Sequence, residues 1–387
     1  MKEIVPNYFK KFKCIASKCE DTCCAGWEVT IDEKTYEKYK SVKGSFGERL
    51  KSNIVFDGCD NIFKLKNNNC SFLNDKKMCD IYIELGEDSL CYICSQFPRI
   101  MEQFEDIKEV GLSFACPEVA RVILNSDEKI ELEVNKIIED LNEDEVDINK
   151  EHFKLLMKCR EISLNIIQNR KIDFNKRVGI VLKLVEEVQD RIDWDEMHEI
   201  EDVLKDYSNE GVLNEILDEF GKYEAKNQIK YDTMEQWLNI YMNLTHINDN
   251  DPLNLNKALE YFYKKDKNIN FYIDSHKEFE KFYEKNIYKF EQILVYFVLR
   301  YFMKSIFDYD LSAKIKIAIV SCLIIKELCI VKWLENNKSF SDADIVKIVQ
   351  TYSKDIEHLE ENIEYLMDIF ENSYLFSEDM LVDMLLN

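Results

Sequence analysis

The sequence predicts a mainly α fold in which a small, loop-rich, cysteine-dense metal-binding N-terminal module is followed by a larger all-helical domain. Three observations carry that reading. Ten of the 13 cysteines (Cys14, Cys19, Cys23, Cys24, Cys59, Cys70, Cys79, Cys91, Cys94 and Cys116) lie in the first 116 residues, leaving Cys159, Cys322 and Cys329 beyond. The same stretch holds six of the nine glycines and is nearly neutral, at −2, whereas the rest carries −22 of the total net charge of −24. Past Pro117, apolar residues recur at intervals of three and four, the spacing that places them on one face of a helix. At 387 residues the chain has length for about two domains.

In the N-terminal part only short strand-like pieces interrupt the loops, among them Glu28-Val29-Thr30-Ile31 and Ile62-Phe63-Lys64-Leu65. A module with so little regular structure buries too little apolar surface to hold itself together, so it needs a metal or a larger partner. Residues 117–124 open with proline in the first turn, as helices do, and the acidic residues 142–151 read as a solvated connection. The expected division is therefore 1–124 for the cysteine-rich module, 125–150 for the acidic connection and 151–387 for the helical domain. Within the last, Val178, Val181, Leu182, Val185, Val188 and Ile192 mark one helix. Leu213, Ile216, Leu217 and Phe220 mark another, and Leu359, Ile363, Leu366, Met367 and Phe370 a third. The dense aromatics of residues 261–309 read as helix core, since aromatic rings dominate packing area.

Charge argues against a nucleic-acid partner, because neutralising phosphates needs a basic surface and neither part supplies one. Residues 315–331 are the most apolar C-terminal run, but Lys316, Lys326 and Glu327 interrupt them, so they read as a buried helix with no membrane role. The N-terminus shows no apolar run of signal-peptide length, and secretion is not expected. The expected compartment is cytoplasmic. There, dense cysteines point to metal or redox chemistry rather than disulfides.

The sharpest pattern is Cys14-x4-Cys19-x3-Cys23-Cys24, followed by Cys70, Cys79, Cys91-x2-Cys94 and Cys116. Thiolates this dense repel and desolvate one another unless a cation compensates them. No histidine precedes His152, which removes mixed Cys/His zinc sites and leaves all-thiolate zinc or an iron–sulfur cluster; spacing alone does not choose between them. A C-x3-C-x2-C motif fails because Gly26 stands where its third cysteine is required. The ferredoxin run of two-residue spacings is absent, as are the glycine-rich loops of dinucleotide and P-loop sites. His152, His198, His246, His276 and His358 show no ligand spacing, and Cys159, Cys322 and Cys329 read as small buried hydrophobes.

The words Pro6-Asn7-Tyr8, Glu20-Asp21-Thr22-Cys23-Cys24-Ala25-Gly26-Trp27, Ile31-Asp32, Thr35-Tyr36, Cys70-Ser71-Phe72-Leu73, Cys79-Asp80-Ile81, Leu85-Gly86-Glu87, Phe97-Pro98-Arg99 and Cys116-Pro117-Glu118 resemble those of the flagellin lysine-N-methylases. The match covers about the first 124 residues. The resemblance implies methyl transfer from S-adenosylmethionine to flagellin lysines, with an iron–sulfur cluster of the four-iron type in the cysteine module and zinc as the alternative. It matches Cys14, Cys19, Cys23, Cys24, Cys70, Cys79, Cys94 and Cys116 to family cysteines as metal ligands, and leaves Cys59 and Cys91 unmatched. A four-iron cluster takes four thiolates, so eight exceed one site. Cys19, Cys23 and Cys24 with a distant partner such as Cys79 or Cys94 are the first expectation. The amine must be neutral to attack a methyl group, which requires a lowered pKa or a proton acceptor. Asp21, Glu118 and Tyr82 are weighed for that role and read more readily as structural residues; Arg99 reads as pairing with a carboxylate. Two other readings stay open: a non-enzymatic zinc- or iron-binding interaction module, and a redox protein.

Overall fold

The computed structural model describes residues 1–137, 148–247, 253–264 and 268–386. The helices that periodicity marks are present as Phe174–Asp193, Glu210–Gly221 and Glu360–Asn372. Their starts follow from capping chemistry. The Asp173 carboxylate accepts from the amides of Asn175 and Lys176, Asp310 does the same for Ala313, and Ser341 and Asp344 form a reciprocal capping box. Each satisfies amide groups that a helix's first turn leaves without partners.

The centre of the helical body is Leu311–Glu335, 25 residues buried on nearly every side. Its charged residues are tolerated because each meets a partner: Lys316 meets Glu186 at 3.4 Å, Lys326 meets Glu280 at 2.7 Å, and Glu327 meets His276 at 2.8 Å. Among the described residues no helix is long and apolar enough to cross a membrane. Most of the aromatic stretch lies in this body, with Phe262, Tyr272, Phe279, Phe290 and Phe302 fully buried, while Phe271 and Phe282 are exposed. Cys159, Cys322 and Cys329 are buried here as well.

Residues 1–124 contribute to two cores. A four-stranded sheet runs in the order Arg99–Phe104, Ile107–Leu112, Lys2–Pro6, Leu132–Lys136. Lys2–Pro6 lies parallel to one neighbour, with Lys2 opposite Ile107, and antiparallel to the other, with Ile4 opposite Val134. The sheet and the Pro117–Leu124 helix pack into the large helical core through Tyr8, Phe104, Leu112, Phe114, Val119 and Ile123. The intervening residues build a separate small core of Val29, Ile31, Tyr39, Leu50, Phe63, Cys70, Phe72, Ile81 and Cys91. Both strand-like pieces of the sequence occur in it, Thr30–Ile31 pairing with Asn61–Phe63. Of the stretch read as an acidic connection, Leu132–Lys136 is the edge strand just described, and residues 138–147 lie outside the described residues.

Candidate functional site

Six thiols gather around the small core, and the loops that carry them are fixed by local hydrogen bonds. The Cys70 amide donates to the Cys24 carbonyl at 2.7 Å and the Gly26 amide to the Asn68 carbonyl at 3.0 Å, laying the Cys23-Cys24 loop against the Asn69–Cys70 strand. Cys79 and Cys91 stand at the N-termini of the helices Asp80–Leu85 and Tyr92–Gln96, and Cys94 lies one turn into the second. Asp32 caps its own helix through the Thr35 amide at 3.0 Å and also accepts from the Tyr92 amide at 2.8 Å, which pins the Cys91 end. Arg49 braces the other end, donating to the Ser71 carbonyl at 2.8 Å and pairing with Asp80 at 2.7 Å.

Their mutual electrostatic influence shows which thiols are neighbours. The Cys23 and Cys24 sulfurs are 4.0 Å apart. A hydrogen bond with the Cys91 thiol, followed by burial and the nearby Cys91, Cys24 and Cys79 thiols, pushes Cys94 far up, while the same bond lowers Cys91. Burial, aided by Cys79, Cys91 and Cys23, pushes Cys70 up to about 11. Burial likewise raises Cys79, with Cys23 adding to it. The gathered set is thus Cys23, Cys24, Cys70, Cys79, Cys91 and Cys94. A second set consists of Cys14, Cys19 and Cys116: burial, aided by the Cys19 and Cys14 thiols, pushes Cys116 up to about 12. Cys59 is exposed in the turn between two short strands.

Two expectations change. Cys19 stands with Cys14 and Cys116 and not with Cys23 and Cys24, because the Ala16–Lys18 turn carries it toward the start of the Pro117–Leu124 helix. Cys91, unmatched in sequence, is fully buried among the six. Its two-residue spacing from Cys94, one helical turn, was the available signal. Among the described residues no three Cys, His, Asp or Glu side chains converge closely enough, as placed, to hold a metal ion. The donor chemistry nevertheless fits a thiolate-bound metal, since the first set offers more than the four sulfurs such a group takes, and the second offers fewer.

The Cys23-Cys24 loop docks on the helical body at the wide π turn Ser353–Glu357, between the helices Asp342–Tyr352 and Glu360–Asn372. Asp21 accepts from Gln350 at 2.6 Å and from Lys354 at 3.2 Å. Burial works against the Asp21 carboxylate, but the Lys354 ammonium holds it below the usual range. Lys354 also donates to the Thr22 carbonyl at 3.2 Å and lies 4.8 Å over the Trp27 ring, and that ring stacks on His358 at 4.6 Å. Gly26 makes the close approach possible. Its φ is +93°, and a Cβ there would lie 2.9 Å from Ile247 and 3.2 Å from Lys354. Gly26→Ala should therefore destabilise the docked module by about 1–3 kcal/mol, read as faster limited proteolysis after Lys18; proteolysis at the wild-type rate would show the contact to be slack.

At the end of the same turn stands Glu357, half-buried. It accepts from the Tyr296 hydroxyl at 3.0 and 3.3 Å and from the Tyr301 hydroxyl at 3.3 Å. Both tyrosines lie on the Tyr288–Tyr301 helix and are buried. The Phe114 amide donates to the Tyr296 oxygen at 3.3 Å and holds the ring in place. Burial raises the Glu357 pKa, opposed by the Arg300 charge and the tyrosine hydrogen bonds. No sequence motif links these residues. The residues weighed earlier as proton acceptors serve elsewhere: Asp21 in the docking contact, Glu118 paired with Arg121, and Tyr82 exposed to solvent. Arg99 is exposed at the start of its strand.

Fold and site together define a helical protein carrying a thiol-rich module seated on a tyrosine–carboxylate turn. Residues 160–382 match the family described as the FliB lysine N-methylase C-terminal domain. The chain belongs to this lysine N-methylase family. It is 33% identical over 149 residues to the "Flagellar biosynthetic protein FliU" of Salmonella muenchen, covering 34% of this chain and 84% of that one. It is 32% identical over 156 residues to the "Lysine-N-methylase" of Salmonella typhimurium, covering 36% of this chain and 37% of that one. The chain thus spans little more than a third of the latter relative's length. No solved structure matches it.

Proposed function

We propose that this chain is a protein lysine N-methyltransferase that moves a methyl group from S-adenosylmethionine to flagellin lysine side chains and holds an iron–sulfur cluster in its thiol-rich module. Family membership supports the reaction, and the flagellar name of the Salmonella muenchen relative supports the substrate. The observation that carries the cluster is the gathering of six thiols from four segments of chain around one small core. Four of Cys23, Cys24, Cys70, Cys79, Cys91 and Cys94 would hold it; its iron–thiolate bonds would cross-link loops that otherwise share little apolar contact. Cys14, Cys19 and Cys116 remain ligand candidates only for a separate, smaller site. The cytoplasm is the compartment in which so many free thiols persist.

The test is purification without oxygen, followed by assay of iron, acid-labile sulfide and zinc, then incubation with flagellin and methyl-labelled S-adenosylmethionine. Iron and sulfide in comparable amounts, with label on flagellin lysines, are expected. A colourless protein holding only zinc removes the cluster, and an iron-loaded protein that leaves flagellin unlabelled removes the methylase reading.

A further inference from the structure

We propose that Glu357, held by Tyr296 and Tyr301, receives the ε-amino group of the substrate lysine and takes its proton. The inference rests on the lysine methyltransferase reading and assigns that reaction a place in the fold. Four features of the site converge. Glu357 is half-buried as a residue, and its carboxylate is fixed by two tyrosine hydroxyls. It ends a π turn, a distortion that recurs at functional sites because it re-aims side chains out of the regular helix. That turn is also where the Cys23-Cys24 loop docks, so the carboxylate sits where the two cores meet. Finally, Tyr296, which donates to Glu357, and Arg300 line a neighbouring cavity of about 50 Å³, whose other walls include Ile100, Glu102, Gly111 and Leu299. An apolar wall with a polar end suits a lysine, whose four-carbon stem is greasy and whose tip is not.

The charges around Glu357 favour loss of a proton from the bound amine. Arg300 projects from the same helix as the two tyrosines and pairs with Glu102 at 3.3 Å, which Lys304 also meets at 3.0 Å. Lys354 and His358 flank Glu357 on its own turn, and Tyr352 stands at the end of the preceding helix. An ammonium beside Arg300 is disfavoured, whereas a neutral amine is not. In the step that follows, the ε-nitrogen lone pair forms a bond to the methyl carbon of a sulfonium donor. The methyl–sulfur bond breaks with its electron pair staying on sulfur as a neutral thioether, and the proton from nitrogen rests on a Glu357 oxygen. The rate then rises with pH as Glu357 becomes ionised. Removing one tyrosine donor stabilises the carboxylate less, raises its pKa and moves that limb to higher pH.

The test is calorimetric titration of the full-length, iron-loaded protein with an acetylated, amidated alanine–lysine–alanine tripeptide and its norleucine counterpart across a pH series. The wild type should prefer the lysine peptide, Glu357→Gln should bind it at least about tenfold more weakly, and Glu357→Asp should recover part of the loss. Tyr301→Phe, which keeps the ring, should shift the pH dependence upward, and serves if Glu357→Gln does not fold. Equal binding of the two peptides by wild type overturns the inference. So does a folded Glu357→Gln with wild-type affinity, or Tyr301→Phe with an unshifted profile. Glu357-dependent binding without any methyl transfer to flagellin would instead overturn the methylase reading and leave the amine site standing.

Discussion

If the thiol module holds the proposed cluster, Cys94→Ser should empty the protein of iron and acid-labile sulfide, while Cys14→Ser should leave both in place. The contrast follows from the way the thiols divide. Cys94 lies deep in the six-thiol set, hydrogen-bonded to Cys91 and near Cys24 and Cys79. Cys14 is exposed and belongs to the set of three. A ligand lost from a four-thiolate site costs more than the roughly 10–100-fold in affinity that a second-shell change costs, so retained metal in Cys94→Ser should be close to nil. The consequence reaches stability. The small core comprises nine buried residues, two of them cysteines, too little apolar surface to order loops of that length unaided. The metal-free variant should therefore lose its thiol module by local opening while the helical body stays folded, seen as proteolysis confined to residues 14–98 and an unchanged far-ultraviolet helix signal. Iron lost from Cys14→Ser but kept by Cys94→Ser would reverse the division of the thiols.

What the sequence reveals and what it hides can be separated by range. Helices such as Phe174–Asp193 announce themselves because the 3.6-residue period and the Asp173 cap are local properties of the chain. The buried nature of Leu311–Glu335 was equally legible, since its few charges are too many for a bilayer and few enough to be paired. Partnerships across long separations were not. The strand Leu132–Lys136 is a poor strand by pattern, with Glu133, Asn135 and Lys136, and forms because Lys2–Pro6, more than a hundred residues away, offers a free edge. The same holds for the thiols: spacing groups Cys19 with Cys23, but a 3-10 turn and a helix N-terminus decide that Cys19 meets Cys116. Glu357 lies 56 residues from Tyr301 and 61 from Tyr296. Each of the three, taken alone, reads as an ordinary helix residue.

The largest single loss of stability should come from Glu291→Ala, far from the thiols. Glu291 is fully buried and holds two guanidinium groups. Arg177 donates to it at 2.6 Å, and Arg170 donates at 2.9, 3.1 and 3.2 Å. Through its other nitrogen Arg170 reaches the Asp127 carbonyl at 2.7 Å, so the triad ties the helical body to the chain leaving the Pro117–Leu124 helix. Burying the three charges is costly, and their attraction offsets little more than that cost. Removing the carboxylate keeps the cost and cancels the attraction. Arg170 can swing toward water, being about a third exposed, but Arg177 cannot, with 3% of its side chain accessible. An uncompensated buried guanidinium costs about 3–5 kcal/mol, equivalent to a fall of about 5 °C in the melting temperature of a chain this long. Thermal unfolding monitored at the helix signal reads this directly. The double variant Glu291→Leu with Arg177→Met should recover most of the loss, because it removes the stranded charge together with its partner and fills a similar volume. A single variant within about 1 kcal/mol of wild type would mean that Arg177 finds another acceptor, and the Ile167 carbonyl, to which it already donates, would be the place to look.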